Sequence, residues 1–276
     1  ASLVFEPASS PALGFGFRCG FLGLLHLEIF QERLSREFNL ELIVTTPTVA
    51  YNIYFNKGDM EVLTTPSEMP EVTKIERTEE PYMHIEVLTP KEYMGPLMEY
   101  IISQRGIAKD NEYIDDNRMI LRFDIPLASI LVDFYDNLKS ISSGYASLNY
   151  DFADYRKCEI VKMDILVAED IVEALTSIVY KDEVHKVGKR IINKLKEVLP
   201  RQQFVIKLQA AVGGKVMAGE KLSALRKDVT AKLYGGDVTR KRKLLEKQKK
   251  GKKRMAQSGR VEIPQEAYLA VLKRDS

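Results

Sequence analysis

The densest group of chemically active side chains is a run of Lys and Arg residues between positions 240 and 254. Ten of these fifteen residues are basic, and one, Glu246, is acidic. Such a run attracts the phosphates of nucleic acids, because each neutralised phosphate releases condensed counterions. The run predicts an RNA-binding segment made of Arg240, Lys241, Arg242, Lys243, Lys247, Lys249, Lys250, Lys252, Lys253 and Arg254.

Two other interpretations of this basic run stay open. A run of charges can be only a solvated face. It can also dock on an anionic membrane surface or on a protein partner, although Leu244, Leu245 and Met255 are its only apolar residues and offer little area for insertion. Lys, Arg, Leu, Glu and Gln have high helix propensity, so we expect a cationic helix. Its like charges four residues apart oppose that helix unless an anion is bound.

Two short motifs imitate nucleotide-binding sites. Asn56-Lys57-Gly58-Asp59 matches the NKxD pattern with which GTPases recognise guanine, but the chain has no GxxxxGK[ST] phosphate loop to accompany it. The glycine-rich stretch 14–23 has the spacing Gly-x-Gly-x-x-x-Gly, which differs from that of a dinucleotide-binding loop. We therefore expect a hairpin turn at 56–59 and close backbone packing at 14–23.

The other reactive side chains are dispersed along the chain. His26, His84 and His185 lie far apart in sequence. Neither Cys19 nor Cys158 has a histidine within metal-ligand spacing, and no nucleophile has a base beside it. We expect no catalytic residue, metal or cofactor in this chain. Two distant cysteines favour a reducing, cytoplasmic setting over a disulfide framework.

Charge divides the chain into two parts. Residues 1–155 contain 12 Lys or Arg against 24 Asp or Glu, and residues 156–276 contain 29 against 15. The resulting net charges of −12 and +14 are hidden within an overall charge of +2. A molecule polarised in this way turns its basic end toward a polyanion.

Length and hydropathy set the broad class of protein. The 276 residues, 45% of them hydrophobic, are enough for two or three cores. No apolar run reaches the eighteen residues of a transmembrane helix, and no secretory leader is evident. The chain starts at Ala1 with a strand close behind it, so we expect that an amino-terminal part is missing.

The first 70 residues predict a small strand-and-helix module. Strands are expected at 3–6 and 15–18, a helix at 23–38 and a further strand at 40–44, since apolar residues recur with helical or strand spacing there. Alternating residues at 49–65 predict a hairpin, and two prolines mark 65–70 as a linker.

Residues 81–163 predict the ferredoxin-like order β-α-β-β-α-β. Gly106 is expected to cap the first helix. The elements are expected at 83–87, 94–105, 107–114, 119–125, 129–142 and 148–152.

Beyond residue 163 the pattern changes to helices with basic surfaces. Helices are predicted at 170–180 and 184–199, and a strand at 204–208. A third helix is predicted from the stripe Leu222, Leu225, Val229 and Leu233, and a short final helix starts near Pro264. The predicted class is therefore α+β, with two ferredoxin-like split βαβ modules, the first truncated, followed by a basic α+β carboxy-terminal domain.

Five stretches resemble the LepA family of translational GTPases, also called elongation factor 4. They begin with ALGFGFRCGFLGLLH and end with PQEAYLAVL, and they are spread in order along the chain. Their positions are 12–26, 143–148, 199–204, 234–241 and 264–272.

The resemblance implies three domains. Residues 1–70 would be most of the third domain, 71–160 the counterpart of the fifth domain of elongation factor G, and 161–276 the family-specific domain that reaches tRNA. The intact parent is expected to hydrolyse GTP with magnesium, using a first domain that has no counterpart here. It is expected to bind the ribosome and tRNA as a monomer, to move tRNAs backward, and to be cytoplasmic, with peripheral contact to the inner membrane as a further expectation.

Overall fold

The computed structural model describes residues 3–10, 14–21, 24–40, 42–45, 48–225, 227–230, 238–258 and 261–272. The chain divides into two compact units, which are described separately. The first comprises Ala1–Ile160 with Leu272–Ser276, and the second comprises Val161–Val271.

The first unit opens with an antiparallel hairpin followed by a helix. Strand β1 is Val4–Ser10, β2 is Gly14–Gly20 and helix α1 is Leu24–Phe38, which confirms the predicted order up to this point. The strand predicted at 40–44 is wrong, because the described residues of 39–45 are irregular. Leu40 and Ile43 are exposed there, and no described strand pairs with them.

The predicted hairpin at 49–65 is confirmed. Strand β3 is Tyr51–Phe55 and β4 is Met60–Leu63, and the Phe55 N–H donates to the Asp59 carbonyl across the turn at 2.9 Å. Gly58 supplies the positive φ of 89° that this tight turn needs. Two short 3₁₀ turns follow, at Pro66–Glu68 and Val72–Lys74.

A ferredoxin-like module completes the first unit. Its strands lie in the order β9-β5-β8-β6, and the hairpin β3–β4 extends the same sheet from β5. The predicted β-α-β-β-α-β order is confirmed. Two short helices replace the single second helix that was predicted at 129–142. The elements are β5 Ile75–Pro90, a 3₁₀ turn Lys91–Tyr93, α2 Met94–Ser103, β6 Ile107–Ala108, β7 Glu112–Tyr113, β8 Arg118–Pro126, α3 Leu127–Ile130, α4 Phe134–Ile141 and β9 Ser147–Cys158.

Helices α2 and α4 of this module cover one face of the sheet. Alternate residues of β5 and β8 form a single buried core with residues of α2 and α4, as the strand periodicity predicts. The ring of Tyr100 on α2 stacks on that of Phe134 on α4, with centroids 5.6 Å apart. The fully buried members include Ile85, Val87, Leu97, Ile101, Leu121 and Phe123.

Two details of the module differ from expectation. The second helix is interrupted before Phe134, because Asp133 adopts a positive φ of 59° that no helix accommodates. Gly106 is not the left-handed cap; Arg105 takes that conformation with φ 68°. Gly106 instead donates its N–H to the Ile101 carbonyl at 2.9 Å, and a Cβ at Gly106 would lie 2.5 Å from Ile101 Cγ2.

The second unit is a sheet covered by helix α5. The strand order is β11-β10-β13-β14, and β12 also pairs with β10. The core draws on the sheet, on α5 and on Ala267 and Val271 of α7. The elements are β10 Ile160–Val167, β11 Asp170–Ile171, a 3₁₀ turn Glu173–Leu175, β12 Ser177–Tyr180, α5 Val184–Val198, β13 Ile206–Val212, β14 Lys215–Leu222, α6 Val238–Ser258 and α7 Gln265–Leu272.

Two of the predicted helices are wrong. Residues 170–180 form two short strands around a 3₁₀ turn, because the β-branched residues Ile178 and Val179 belong to a strand paired with β10. The helix predicted from Leu222 to Leu233 is absent from its described part. Leu222 ends β14 opposite Ile206, and residues 223–225 and 227–230 are irregular. Leu233 lies outside the described residues.

The helices at 184–199 and after Pro264 are confirmed as α5 and α7. Gly188 lets α5 approach the sheet, since a Cβ there would lie 2.8 Å from Ala210 Cβ. Within the described ranges, none of the helices combines the length and the hydropathy needed to cross a membrane.

Candidate nucleic-acid interface

All ten predicted RNA-binding residues lie on one helix, α6. This helix runs for 21 residues from Val238 to Ser258, which corresponds to a rod of about 30 Å. The prediction of a cationic helix is confirmed. Its sequence favours a helix because Lys, Arg, Leu and Gln lose little side-chain freedom in that conformation.

One side of α6 is held against the chain. Lys241, Leu244, Gln248, Gly251 and Lys252 are half-buried and fall within roughly a third of the helix circumference. Two hydrogen bonds fix this side to the segment before the helix. Gln248 Nε2 donates to the Lys227 carbonyl at 2.8 Å, and Lys252 Nζ donates to the Leu225 carbonyl at 2.5 Å.

The rest of the helix surface is cationic and open to solvent. Glu246 is the one acidic residue of α6, and its carboxylate lies 3.4 Å from Arg242 Nε in an exposed pair that contributes little to stability. Eight of the ten predicted cations are exposed. They are Arg240, Arg242, Lys243, Lys247, Lys249, Lys250, Lys253 and Arg254.

An open groove of about 330 Å³ runs along part of α6. The apolar side chains of Val238 and Leu245 line it, together with the cations Lys241, Arg242 and Lys249 and the acidic Glu246. Leu245 was expected only to offer little apolar area for membrane insertion, and Val238 was not predicted to belong to a binding surface. Their helical spacing of seven residues was the available signal.

A second cluster of charges, in the first unit, was missed by sequence analysis. The carboxylate of Asp124 on β8 is nearly buried and faces three bases. It lies 3.0 Å from His84 Nδ1 and 3.0 Å from Lys109 Nζ, and it accepts a hydrogen bond from Arg156. Burial opposes ionisation of Asp124, but the hydrogen bonds from Arg156, His84 and Lys109 outweigh it and lower its pKa to about 2. The register, which sets His84 opposite Asp124, explains the cluster.

This second cluster is a structural ion-pair group. Its charges satisfy one another, and Arg156 also pairs with Asp154 at 2.8 Å and stacks on the Tyr82 ring at 4.5 Å. The described residues contain no group of three His, Cys, Asp or Glu side chains that could hold a metal ion. The strongest candidate interface of the chain is therefore the exposed side of α6.

Asn56 and Lys57, the imitation of a guanine-binding motif, lie in the turn between β3 and β4. The Asn56 side-chain amide donates to the Thr73 carbonyl at 3.0 Å, so it is used to tie the hairpin to the following segment.

Cys158 is also structural. Burial raises the pKa of its thiol to about 12, and the thiol lies 3.6 Å from the Thr78 hydroxyl.

Two protein-family models match this chain. Residues 167–273, which contain α6, match the family model described as GTP-binding protein LepA C-terminus. Residues 77–166, which contain the ferredoxin-like module, match the model described as elongation factor G C-terminus.

Curated relatives match the chain from end to end. Elongation factor 4 of Anoxybacillus flavithermus is 54% identical over 275 residues, which are 100% of this chain and 45% of the relative. Elongation factor 4 of Thermosynechococcus vestitus is 54% identical over 273 residues, 99% of this chain and 45% of the relative. That of Bacteroides fragilis is 54% identical over 275 residues, 100% of this chain and 46% of the relative. The chain thus spans a little under half the length of these relatives, and it belongs to the LepA (elongation factor 4) family.

Proposed function

We propose that this chain is the ribosome- and tRNA-binding part of a translational GTPase, and that α6 makes the contact with RNA. The observation that supports this most directly is the eight exposed Lys and Arg side chains on one helix with a single acidic neighbour. Like charges clustered on one helix repel one another and cost stability, so they call for a polyanionic partner.

The geometry favours contact with the phosphate backbone of RNA. The exposed cations are spread over the whole solvent-facing side of α6. They therefore suit an extended array of phosphates better than a single small anion. The bases in the deep, narrow major groove of A-form RNA cannot be reached by such side chains, so the contact reads shape and backbone rather than sequence. The half-buried side, held at Leu225 and Lys227, would keep the helix in place while its other side binds.

The remaining functions belong to the whole protein and follow from its family. We propose that the parent hydrolyses GTP with magnesium, and that a domain without a counterpart in this chain holds both. Its role would be to move tRNAs backward on the ribosome and so to support accurate protein synthesis. It would act in the cytoplasm as a monomer.

One comparison separates this proposal from its alternative, a module that docks on an anionic membrane surface or on a protein. Binding of labelled tRNA is compared with binding of anionic liposomes, at a low and a near-physiological salt concentration. Retention of tRNA with little liposome binding at both concentrations supports the proposal. Liposome binding equal to or tighter than tRNA binding at the higher concentration would overturn it, since peripheral adsorption would then be the stronger interaction.

A further inference from the structure

Strand β9 forms a long open edge of the ferredoxin-like sheet. It pairs with β5 from Ser147 to Cys158, and among the described ranges no other strand pairs with it. The outer edge of this twelve-residue strand therefore presents backbone N–H and C=O groups without a strand partner. An edge of this length is a template for another strand, and proteins usually shorten, charge or cover such edges.

Aromatic side chains on β9 lie uncovered on the face that the helices shield elsewhere. Tyr150 pairs across the sheet with Ile85, and Phe152 pairs with Met83, so these side chains point toward the helix-covered face. Ile85 is 0% exposed and Met83 8%, whereas Tyr150 is 55% exposed and Phe152 is 58%. The helices thus shield β5 but leave the aromatic residues of its neighbour open.

An irregularity in β9 enlarges this aromatic strip. The register shifts between Tyr82 and Met83, so that Ala153 has no partner across the sheet. One extra residue brings Tyr155 to the same face as Phe152, and their ring centroids are 5.6 Å apart. Exposed aromatic groups clustered in this way are typical of the centre of a binding surface.

The charge of this strand indicates what could bind it. Asp151 and Asp154 are exposed on β9, where Asp154 pairs with Arg156 at 2.8 Å, and residues 148–155, which precede Arg156 and Lys157 at the end of the strand, contain no Lys or Arg. Residues 1–155 together carry a net charge of −12. Phosphates would be repelled here. A second copy of the chain is also disfavoured, because pairing two copies of β9 would bring like charges together.

We propose that the outer edge of β9, between Leu148 and Tyr155, binds an extended Lys- or Arg-rich segment of a partner protein, which joins the sheet as an additional strand. In such strand addition the main-chain hydrogen bonds supply affinity and alternate side chains supply specificity. Apolar side chains on one face of the added strand would pack on Tyr150 and Phe152, while Lys or Arg side chains on its other face would reach Asp151, because successive residues of a strand point to opposite faces. This surface belongs to the acidic first unit, whereas α6 belongs to the second.

A designed peptide tests the proposal with the full chain. The probe is an acetylated and amidated decapeptide in which Lys and Val alternate. One control is the same peptide N-methylated at its four central residues, which removes their N–H donors on both edges of the peptide, and another replaces Lys by Glu. We expect the probe to slow amide hydrogen exchange across 148–155, and we expect each control peptide to bind at least about tenfold more weakly. Equal binding of the N-methylated peptide, or protection that avoids β9, would overturn strand addition.

Substitutions on the strand identify the side chains responsible. Replacing Tyr150 and Phe152 by Ser should weaken binding of the Lys peptide about tenfold, whereas replacing the exposed Tyr113 and Tyr135 by Ser should leave it unchanged. Asp151→Lys should weaken the Lys peptide and strengthen the Glu peptide. An equal loss of peptide binding in the two double variants would contradict the proposal. So would protection of residues 148–155 from hydrogen exchange by an RNA decamer in place of the peptide. Self-association that disappears in the Tyr150→Ser, Phe152→Ser variant would assign the edge to a second copy and overturn the proposed partner.

Discussion

The Nζ of Lys252 lies 2.5 Å from the carbonyl oxygen of Leu225 and donates a hydrogen bond to it. This contact gives one of the ten predicted RNA-binding cations a packing role, and it divides α6 into a held side and an open side. Lys241 shares the held side as a half-buried residue. The eight exposed cations are therefore the ones that mutagenesis of RNA binding should address.

Gly251 sits in the interior of α6, where it weakens the helix. A Cβ at this position would meet no atom within 4 Å, so Gly251→Ala should stabilise the helix by about 0.5–1 kcal/mol through reduced backbone entropy. Hydrogen exchange across 244–254 should slow. The control is Gly213→Ala in the β13–β14 turn, where a φ of 55° strains any side chain, so that stability should fall. Faster hydrogen exchange in Gly251→Ala would contradict the placement of Gly251 inside α6 with open space for a Cβ.

Sequence patterns predicted those elements whose partners lie nearby or whose periodicity is unambiguous. Helix α5 follows from the spacing of Val187, Ile191 and Leu195, and the sheet of the ferredoxin-like module follows from alternating residues in β5 and β8. The stretch around Ile171 has apolar residues at helical spacing as well, yet pairing with β10 makes it β-rich. Periodicity alone could not decide between the two, because the decisive contact is made by another part of the chain.

The candidate site was predictable in composition but not in orientation. Ten clustered cations are evident from the sequence alone. Their division into held and exposed residues depends on Leu225 and Lys227, which lie 27 and 21 residues away from their partners on α6. The Asp124 cluster was missed for the same reason, since His84, Lys109 and Arg156 converge only when the sheet forms.

Gly106 should be intolerant of any side chain. Gly106→Ala would place a Cβ 2.5 Å from Ile101 Cγ2 and 2.7 Å from the Ile101 carbonyl oxygen. Because Ile101 is fully buried, we expect the free energy of unfolding to fall by about 1–3 kcal/mol in urea denaturation. Gly95→Ala is the matched control at the start of α2, where a Cβ meets nothing within 4 Å. If both variants were as stable as the parent, the close approach of Gly106 to Ile101 would be refuted.

Asp124 should make the first unit sensitive to acid. The pKa of its carboxyl group is about 2 in the folded chain against an ordinary value of 3.8, so the folded state favours the ionised form. Ionised Asp124 contributes about 2 kcal/mol to the free energy of unfolding. This contribution is complete above pH 4 and is lost as the pH falls toward 2. Asp124→Asn should lower stability at neutral pH and reduce the loss between pH 4 and 2.

The comparison for this prediction is Asp136→Asn, which changes an exposed carboxylate on α4. Chemical denaturation at several pH values should show a smaller acid-dependent loss only in the Asp124 variant. Identical pH profiles for Asp124→Asn and the parent would mean that the ion-pair cluster does not contribute to stability.

The salt dependence of tRNA binding tests the central claim most directly. Lys243, Lys247 and Lys250 form an exposed stripe on α6 at helical spacing, and reversing all three to Glu removes three phosphate contacts. The slope of log K against log salt should become flatter by about 2 to 3, because each contact contributes about 0.7 to 0.9. Reversing the exposed Arg36, Lys57 and Lys74 of the first unit should leave the slope unchanged. A slope that stays the same in the α6 variant, or that flattens equally in both variants, would contradict RNA binding by α6.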